Sequence, residues 1–273
     1  MVPLTGSTKG GGDVGRRVLT GVLLGPPVLA ALYFGPPFSD VLIAGGAGVM
    51  AWEWGRLCGA ESRSPAMLAL ISCTLLAGIA TAFGSLSLAG WIILFGIMSS
   101  VLLGRQRLSE PVWLAAGVPV IGLSAMALIW LRGNPEWGRE IVLWLIAVVW
   151  ATDSGAYFAG RSLGGPKLAP KISPKKTWSG LAGGVLAAGL VGWIASLLLE
   201  SHESLLLVVS SMLLAIVSQG GDLFESVLKR RFGAKDSSKL IPGHGGLLDR
   251  TDGLMAASLC LAVVIWFAGE ARF

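Results

Sequence analysis

Three aspartates in the C-terminal part of the chain stand where metal-assisted phosphate chemistry would need them. Asp222 follows Gly220-Gly221 at the end of an apolar run, and Asp249 and Asp252, three residues apart, open the next one. Residues three apart share a helix face. Carboxylates converging on one face are how a protein holds Mg²⁺, which in turn holds substrate phosphates. The rival reading is local: Asp249 as an N-cap with Asp252 one turn on, both favoured by the helix dipole. Asp222 has no such alternative. Read at a helix C-terminus, where the dipole disfavours negative charge, it calls for a bound cation.

Two groups of cations accompany these carboxylates. Lys229, Arg230, Lys235 and Lys239 fall on one expected loop, and Lys167, Lys171, Lys175 and Lys176 on another, so together they could neutralise a polyphosphate. Attraction to anionic lipid headgroups, at about 1 kcal/mol per residue, would need no site at all. A site is favoured by the company these residues keep. Gly243, Gly245 and Gly246 allow backbone N–H groups to close on an anion, and Thr177 reads as an N-cap directly behind Lys175-Lys176. His244, inside Pro-Gly-His-Gly-Gly, could donate to phosphate, act as general acid or base, or only make the turn; a substrate contact is the preferred reading. Glu53, between Trp52 and Trp54, is either functional at membrane depth or part of an aromatic belt that meets water.

The elements that must position these residues are set by the solvent. Of the 273 residues 53% are hydrophobic and 14% charged, against about 25% charged in soluble domains. Several runs reach the roughly 20 apolar residues that a spanning helix needs, and none alternates as a barrel strand would. The expectation is an all-α, polytopic integral membrane protein with nine transmembrane helices. After a disordered arm, 1–15, residues 16–273 form one domain whose part from 140 onward carries the motifs. The first run, interrupted by Pro26-Pro27 and followed by more membrane, is expected to be an uncleaved helix. The sixth turns polar halfway, at Asp153, Ser154, Tyr157 and Arg161, so that end faces protein or a water-filled cavity. Prolines at 166, 170 and 174 forbid a helix after it. Gly183, Ala187, Gly189 and Gly192 suit close helix packing in lipid.

With nine spans and the N-terminus inside, eighteen of the 21 Lys and Arg residues fall on the cytoplasmic side, as the positive-inside rule requires. That distribution accounts for the basic pI without a nucleic-acid partner. It also predicts a polar cavity at the cytoplasmic face of a cell membrane. Cys58, Cys73 and Cys260 stand singly in apolar surroundings and support neither zinc nor disulfides.

The run Ser226-x-Leu228-Lys229-Arg230, then Lys235-Asp236-x-Ser238, then Ile241-Pro242-x-His244-Gly245-Gly246-Leu247-x-Asp249-Arg250-Thr251-Asp252 resembles the signature of the phosphatidate cytidylyltransferases. Ile172-Ser173-Pro174-Lys175-Lys176-Thr177 resembles a second family segment, although Ser179 stands where the family more often has glutamate. The resemblance implies a reaction of CTP with phosphatidic acid that gives CDP-diacylglycerol and pyrophosphate. It also implies Mg²⁺, a second cation such as K⁺ between Asp222 and Asp249, and a homodimer in the lipid bilayer. Catalytic roles then fall to Asp222, Asp249, Lys229 and Arg230. Substrate contacts fall to Asp153, Ser173, Lys175, Lys176, Lys235, Asp236, His244, Gly245, Gly246, Arg250 and Asp252. A CTP-dependent enzyme for another lipid phosphate stays open, as does, more remotely, an anion or lipid transporter, which would place its charges at the bilayer midplane.

Overall fold

A computed structural model describes residues 11–105, 108–243 and 245–269. Nine helices run through them: α1 Gly11–Phe34, α2 Phe38–Leu57, α3 Pro65–Ala82, α4 Leu86–Gly104, α5 Pro111–Gly133, α6 Gly138–Leu163, α7 Trp178–Leu198, α8 Ser204–Arg231 and α9 Leu248–Ala268. Seven of them, α3 to α9, are long and apolar enough to cross a membrane. The apolar part of α1, Gly21–Phe34, is shorter. Helix α2 carries Asp40, Glu53 and Arg56 along its length and is not among the seven. Within the stretch expected to be an arm, the chain is already helical from Gly11.

Between α6 and α7 the Pro- and Lys-rich segment is not a plain loop. Strands β1 (Lys167–Ala169) and β2 (Ser173–Thr177) pair antiparallel, with Lys167 opposite Thr177 and Ala169 opposite Ser173. Prolines preclude a helix here but are tolerated in a short two-stranded ribbon with solvent on its edges. The hairpin is pinned to the first turn of α7. Trp178 N–H donates to the Pro166 carbonyl at 3.1 Å, and the Ser179 hydroxyl donates to the Gly164 carbonyl. Thr177 caps α7 as its type predicts, its Oγ1 accepting from Gly180 N–H at 3.0 Å.

Two apolar clusters hold the bundle. One gathers Trp54, Met67, Leu70, Leu114, Val118 and Ile121 from α2, α3 and α5, and Leu248 at the start of α9. The other gathers Leu131, Leu145, Val148, Leu214, Ala215 and Leu261. Large apolar side chains such as Trp91, Phe95, Leu186 and Trp193 face outward, as lipid contact demands. Small residues set the close crossings. A Cβ on Gly155 would come within 2.7 Å of the Gly183 carbonyl oxygen across α6 and α7, and one on Gly221 within 2.6 Å of the Asp252 carbonyl oxygen across α8 and α9. These crossings bring the polar ends of α6, α8 and α9 together beside the hairpin.

Candidate active site

Helix α8 does not end at Gly221. It continues for ten residues to Arg231, so Asp222 lies within a helix, and Lys229 and Arg230 sit on its last turn rather than on a loop. This corrects the dipole argument for Asp222. What constrains Asp222 is its neighbours: its carboxylate takes an ion pair from Lys176 at 2.6 Å and lies within coulombic range of Asp153 and Asp252. The Lys176 pair joins the hairpin to α8. Gln219, one turn earlier on α8 and buried, accepts from Lys176 at 3.1 Å and donates to Asp153 on α6 at 3.4 Å. Arg230 ties the same two elements from outside, donating to the Ile172 carbonyl at 3.3 Å.

A second, more buried knot surrounds Asp249. Its Oδ1 accepts from Lys229 Nζ at 2.7 Å; its Oδ2 accepts from Ser237 N–H at 2.9 Å, Ser237 Oγ at 2.8 Å and Gly246 N–H at 2.8 Å. Asp249 is therefore not the N-cap of α9 but the post to which the signature loop is tied. The Gly246 N–H, expected to face an anion, is spent on this carboxylate. Lys229 also pairs with Glu225 at 2.6 Å, one turn back on α8. Glu225 is buried, its Oε1 has no hydrogen-bond partner, and Asp252 and Asp249 lie close by.

The remaining expected residues take distinct places. Lys175, Lys235, Asp236 and Arg250 are exposed, and Ser173 is half-buried at the start of β2. Arg250 faces the electrostatic field of Asp153. Gly245 has φ +85°, a conformation that glycine alone adopts without strain, and its carbonyl accepts from Ile241 N–H at 2.8 Å. Asp252 accepts from the N–H of Gly253 at 2.7 Å. His244 lies outside the described residues. Reasoning from the chain alone missed Gln219, Glu225 and Ser237. The last falls at an unspecified position within the signature run, whereas Glu225 is visible only as a charge three residues after Asp222, on the same face once α8 is known to continue.

Among the described residues no three acidic, His or Cys side chains converge as a ready-made metal cage. Mg²⁺ asks for less, one or two carboxylates with water and substrate phosphates completing its shell. The donor set meets that need. Carboxylates of Asp153, Asp222, Glu225, Asp249 and Asp252 outnumber the cations Lys176, Lys229 and Arg250 among them, and Glu225 Oε1 is left unpaired. Asp222 and Asp249 each hold an ammonium group at 2.6 and 2.7 Å, where a cation is already favoured.

Residues 15–268 match the model of the cytidylyltransferase family. A phosphatidate cytidylyltransferase of Brucella suis is 42% identical over 248 residues, covering 90% of each chain. One of Pseudomonas aeruginosa is 33% identical over 267 residues, covering 93% of this chain and 97% of that one.

Proposed function

The chain belongs to the cytidylyltransferase family, and from that premise we propose that it makes CDP-diacylglycerol and pyrophosphate from CTP and phosphatidate. A phosphate oxygen of phosphatidate forms a bond to the α-phosphorus of CTP as the bond from that phosphorus to the bridging oxygen breaks, and pyrophosphate leaves with the electron pair. The nucleophile is already ionised near neutral pH, so a general base is not required. What the reaction needs is cations around the phosphates and a fixed line of attack.

The carrying observation is the pair of lysines that lie on acidic partners, Lys176 on Asp222 and Lys229 on Asp249. An incoming triphosphate competes for these ammonium groups, and Lys175, Lys235, Arg230 and Arg250 stand exposed around them to take up further phosphate oxygens. Asp222 and Asp249, relieved of lysine, would hold Mg²⁺, with K⁺ as a second cation. When bound, the metal supplies charge stabilisation at the phosphoryl oxygens. Asp153, through Gln219, keeps Lys176 aimed at the space between hairpin and α8. His244, Ser173, Asp236, Gly245 and Asp252 complete the substrate shell in this reading. The bundle spans the membrane nine times with its N-terminus in the cytoplasm, so that soluble CTP and a lipid phosphate meet at the hairpin end.

Full-length protein purified in detergent is expected to release pyrophosphate and form CDP-diacylglycerol, followed by mass spectrometry, when given CTP, phosphatidate and Mg²⁺. EDTA should stop it. Absence of pyrophosphate with phosphatidate, or its appearance only with a different lipid phosphate, would overturn the assignment.

A further inference from the structure

Glu53 lies on α2, far from the signature loop in sequence, and is fully buried. Its oxygens take four hydrogen bonds, all from that loop and the first residues of α9. Ser238 Oγ donates to Oε1 at 2.6 Å and Leu247 N–H at 3.0 Å; Leu248 N–H donates to Oε2 at 2.7 Å and Ser237 Oγ at 3.4 Å. Helix α9 has no side-chain cap of its own, because Leu247 fills its N-cap position. The carboxylate that takes its first N–H groups comes from 194 and 195 residues away. A negative charge there is also favoured by the helix dipole, and no ion pair accompanies it among the described residues.

The consequence for the site is geometric. Three successive N–H groups, of Gly246, Leu247 and Leu248, are taken by two carboxylates, Asp249 and Glu53, and Ser237 Oγ touches both. A Cβ on Gly246 would collide with Ser237 Oγ and come within 2.6 Å of Glu53 Oε1. Around this clamp α2 and α9 also meet directly, Thr251 Oγ1 donating to Met50 Sδ at 2.9 Å. Lys235 and Asp236 precede the clamped segment and Asp249, Arg250 and Asp252 follow it, so its seating sets where all of them stand.

We propose that Glu53 is a positioning residue for the cytidylyl transfer: it caps α9 from another helix and fixes the loop that presents the triphosphate-binding groups. The proposal rests on the functional reading above. Its test is Glu53→Gln in the full-length protein. Glutamine puts an NH₂ against N–H or O–H groups that need an acceptor, at nearly the same volume. Expected are elution like the unaltered protein, tryptic cleavage after Lys235 and Lys239 at least about tenfold faster, and kcat lower by about 10- to 100-fold. The KM for CTP should rise while that for phosphatidate stays within about twofold, a split that a smaller folded fraction would not produce. Glu53→Asp keeps the charge and should recover part of both effects. Should Glu53→Gln fail to fold, Ser238→Ala, which removes one donor to Glu53 together with the acceptor of the exposed Leu240 N–H and strands no charge, should still speed the cleavage and raise the KM for CTP. Loop protection and CTP kinetics unchanged in the folded variants would overturn the proposal. Loss of activity with both KM values and the cleavage pattern unchanged would do the same. If the unaltered protein does not turn over CTP with phosphatidate, the functional reading fails, while the cleavage comparison still decides whether Glu53 clamps the loop.

Discussion

At the level of single residues, the two lysine–carboxylate pairs make opposite predictions. Asp222 has a side chain one-third exposed, and its bond to Lys176 is screened by water, so Asp222→Asn should change stability by no more than about 1 kcal/mol. Turnover should nevertheless fall by about 100-fold or more, because the residue proposed to hold the metal is gone. Pyrophosphate release by monodisperse protein, across a Mg²⁺ titration, checks this, and retained activity would remove Asp222 from the metal site. Lys229 is the reverse case. Its side chain is 12% exposed between Glu225 and Asp249, at 3% and 5%. Lys229→Met leaves two buried carboxylates without their cation and should cost about 3–5 kcal/mol, read as a large drop in melting temperature. Lys235→Met, at an exposed position, should stay within about 0.5 kcal/mol of the unaltered protein while losing turnover. Most of the acidic and basic groups in this network were legible as chemistry in the chain because charge is rare in it. Glu53 was visible as an anomaly but its role was not, since its partners lie more than 180 residues away. Glu225 was hidden by the assumption that the helix had stopped.

Helices were legible where apolar runs begin and end together with their caps or turns. The apolar run from Leu86 to Gly104 coincides with α4, and the run from Trp178 to Leu199 goes one residue past the end of α7. Helix α8 was cut short because Gly220-Gly221 reads as a breaker and hydropathy falls after it. The backbone stays helical because Leu228 is fully buried and Phe224 stacks on Trp54 at 6.3 Å. Burial on one face, not lipid, carries those last turns. The small residues of α7 did predict close packing. A Cβ on Gly183 would overlap the Cβ of Ala159 and approach the Gly155 carbonyl oxygen to 3.0 Å. Gly183→Leu should therefore push α6 from α7, destabilise by about 1–3 kcal/mol, and lower turnover, because α6 carries Asp153 and α7 is capped by Thr177 next to Lys176. Gly45→Ala on α2, where the added Cβ meets nothing within 4 Å, should be neutral or stabilising by up to about 1 kcal/mol. Helix propensity favours both replacements, so a melting temperature of Gly183→Leu no lower than that of Gly45→Ala would show that the crossing carries no steric cost.

For the whole molecule, the decisive question is which side of the membrane the hairpin faces, since CTP is available on one side only. Lys171, exposed between β1 and β2, and His202, exposed between α7 and α8, lie at opposite ends of helix α7. With nine spans and the N-terminus inside, the first is cytoplasmic and the second is not. Single cysteines at these positions report this directly, because the native thiols are poor targets. Cys58 is buried and burial pushes its thiol up to about 12, so at neutral pH it stays protonated and unreactive. Cys73 is buried within α3, and Cys260 lies within α9 and can be changed to serine. A membrane-impermeant maleimide should label His202→Cys in intact cells and Lys171→Cys only in inverted membrane vesicles. CTP added to the vesicles before the reagent should slow labelling of Lys171→Cys, since the hairpin also carries Lys175 and Lys176. Labelling of the hairpin cysteine from outside intact cells would invert the bundle, part the site from its nucleotide, and sink the mechanism together with the topology.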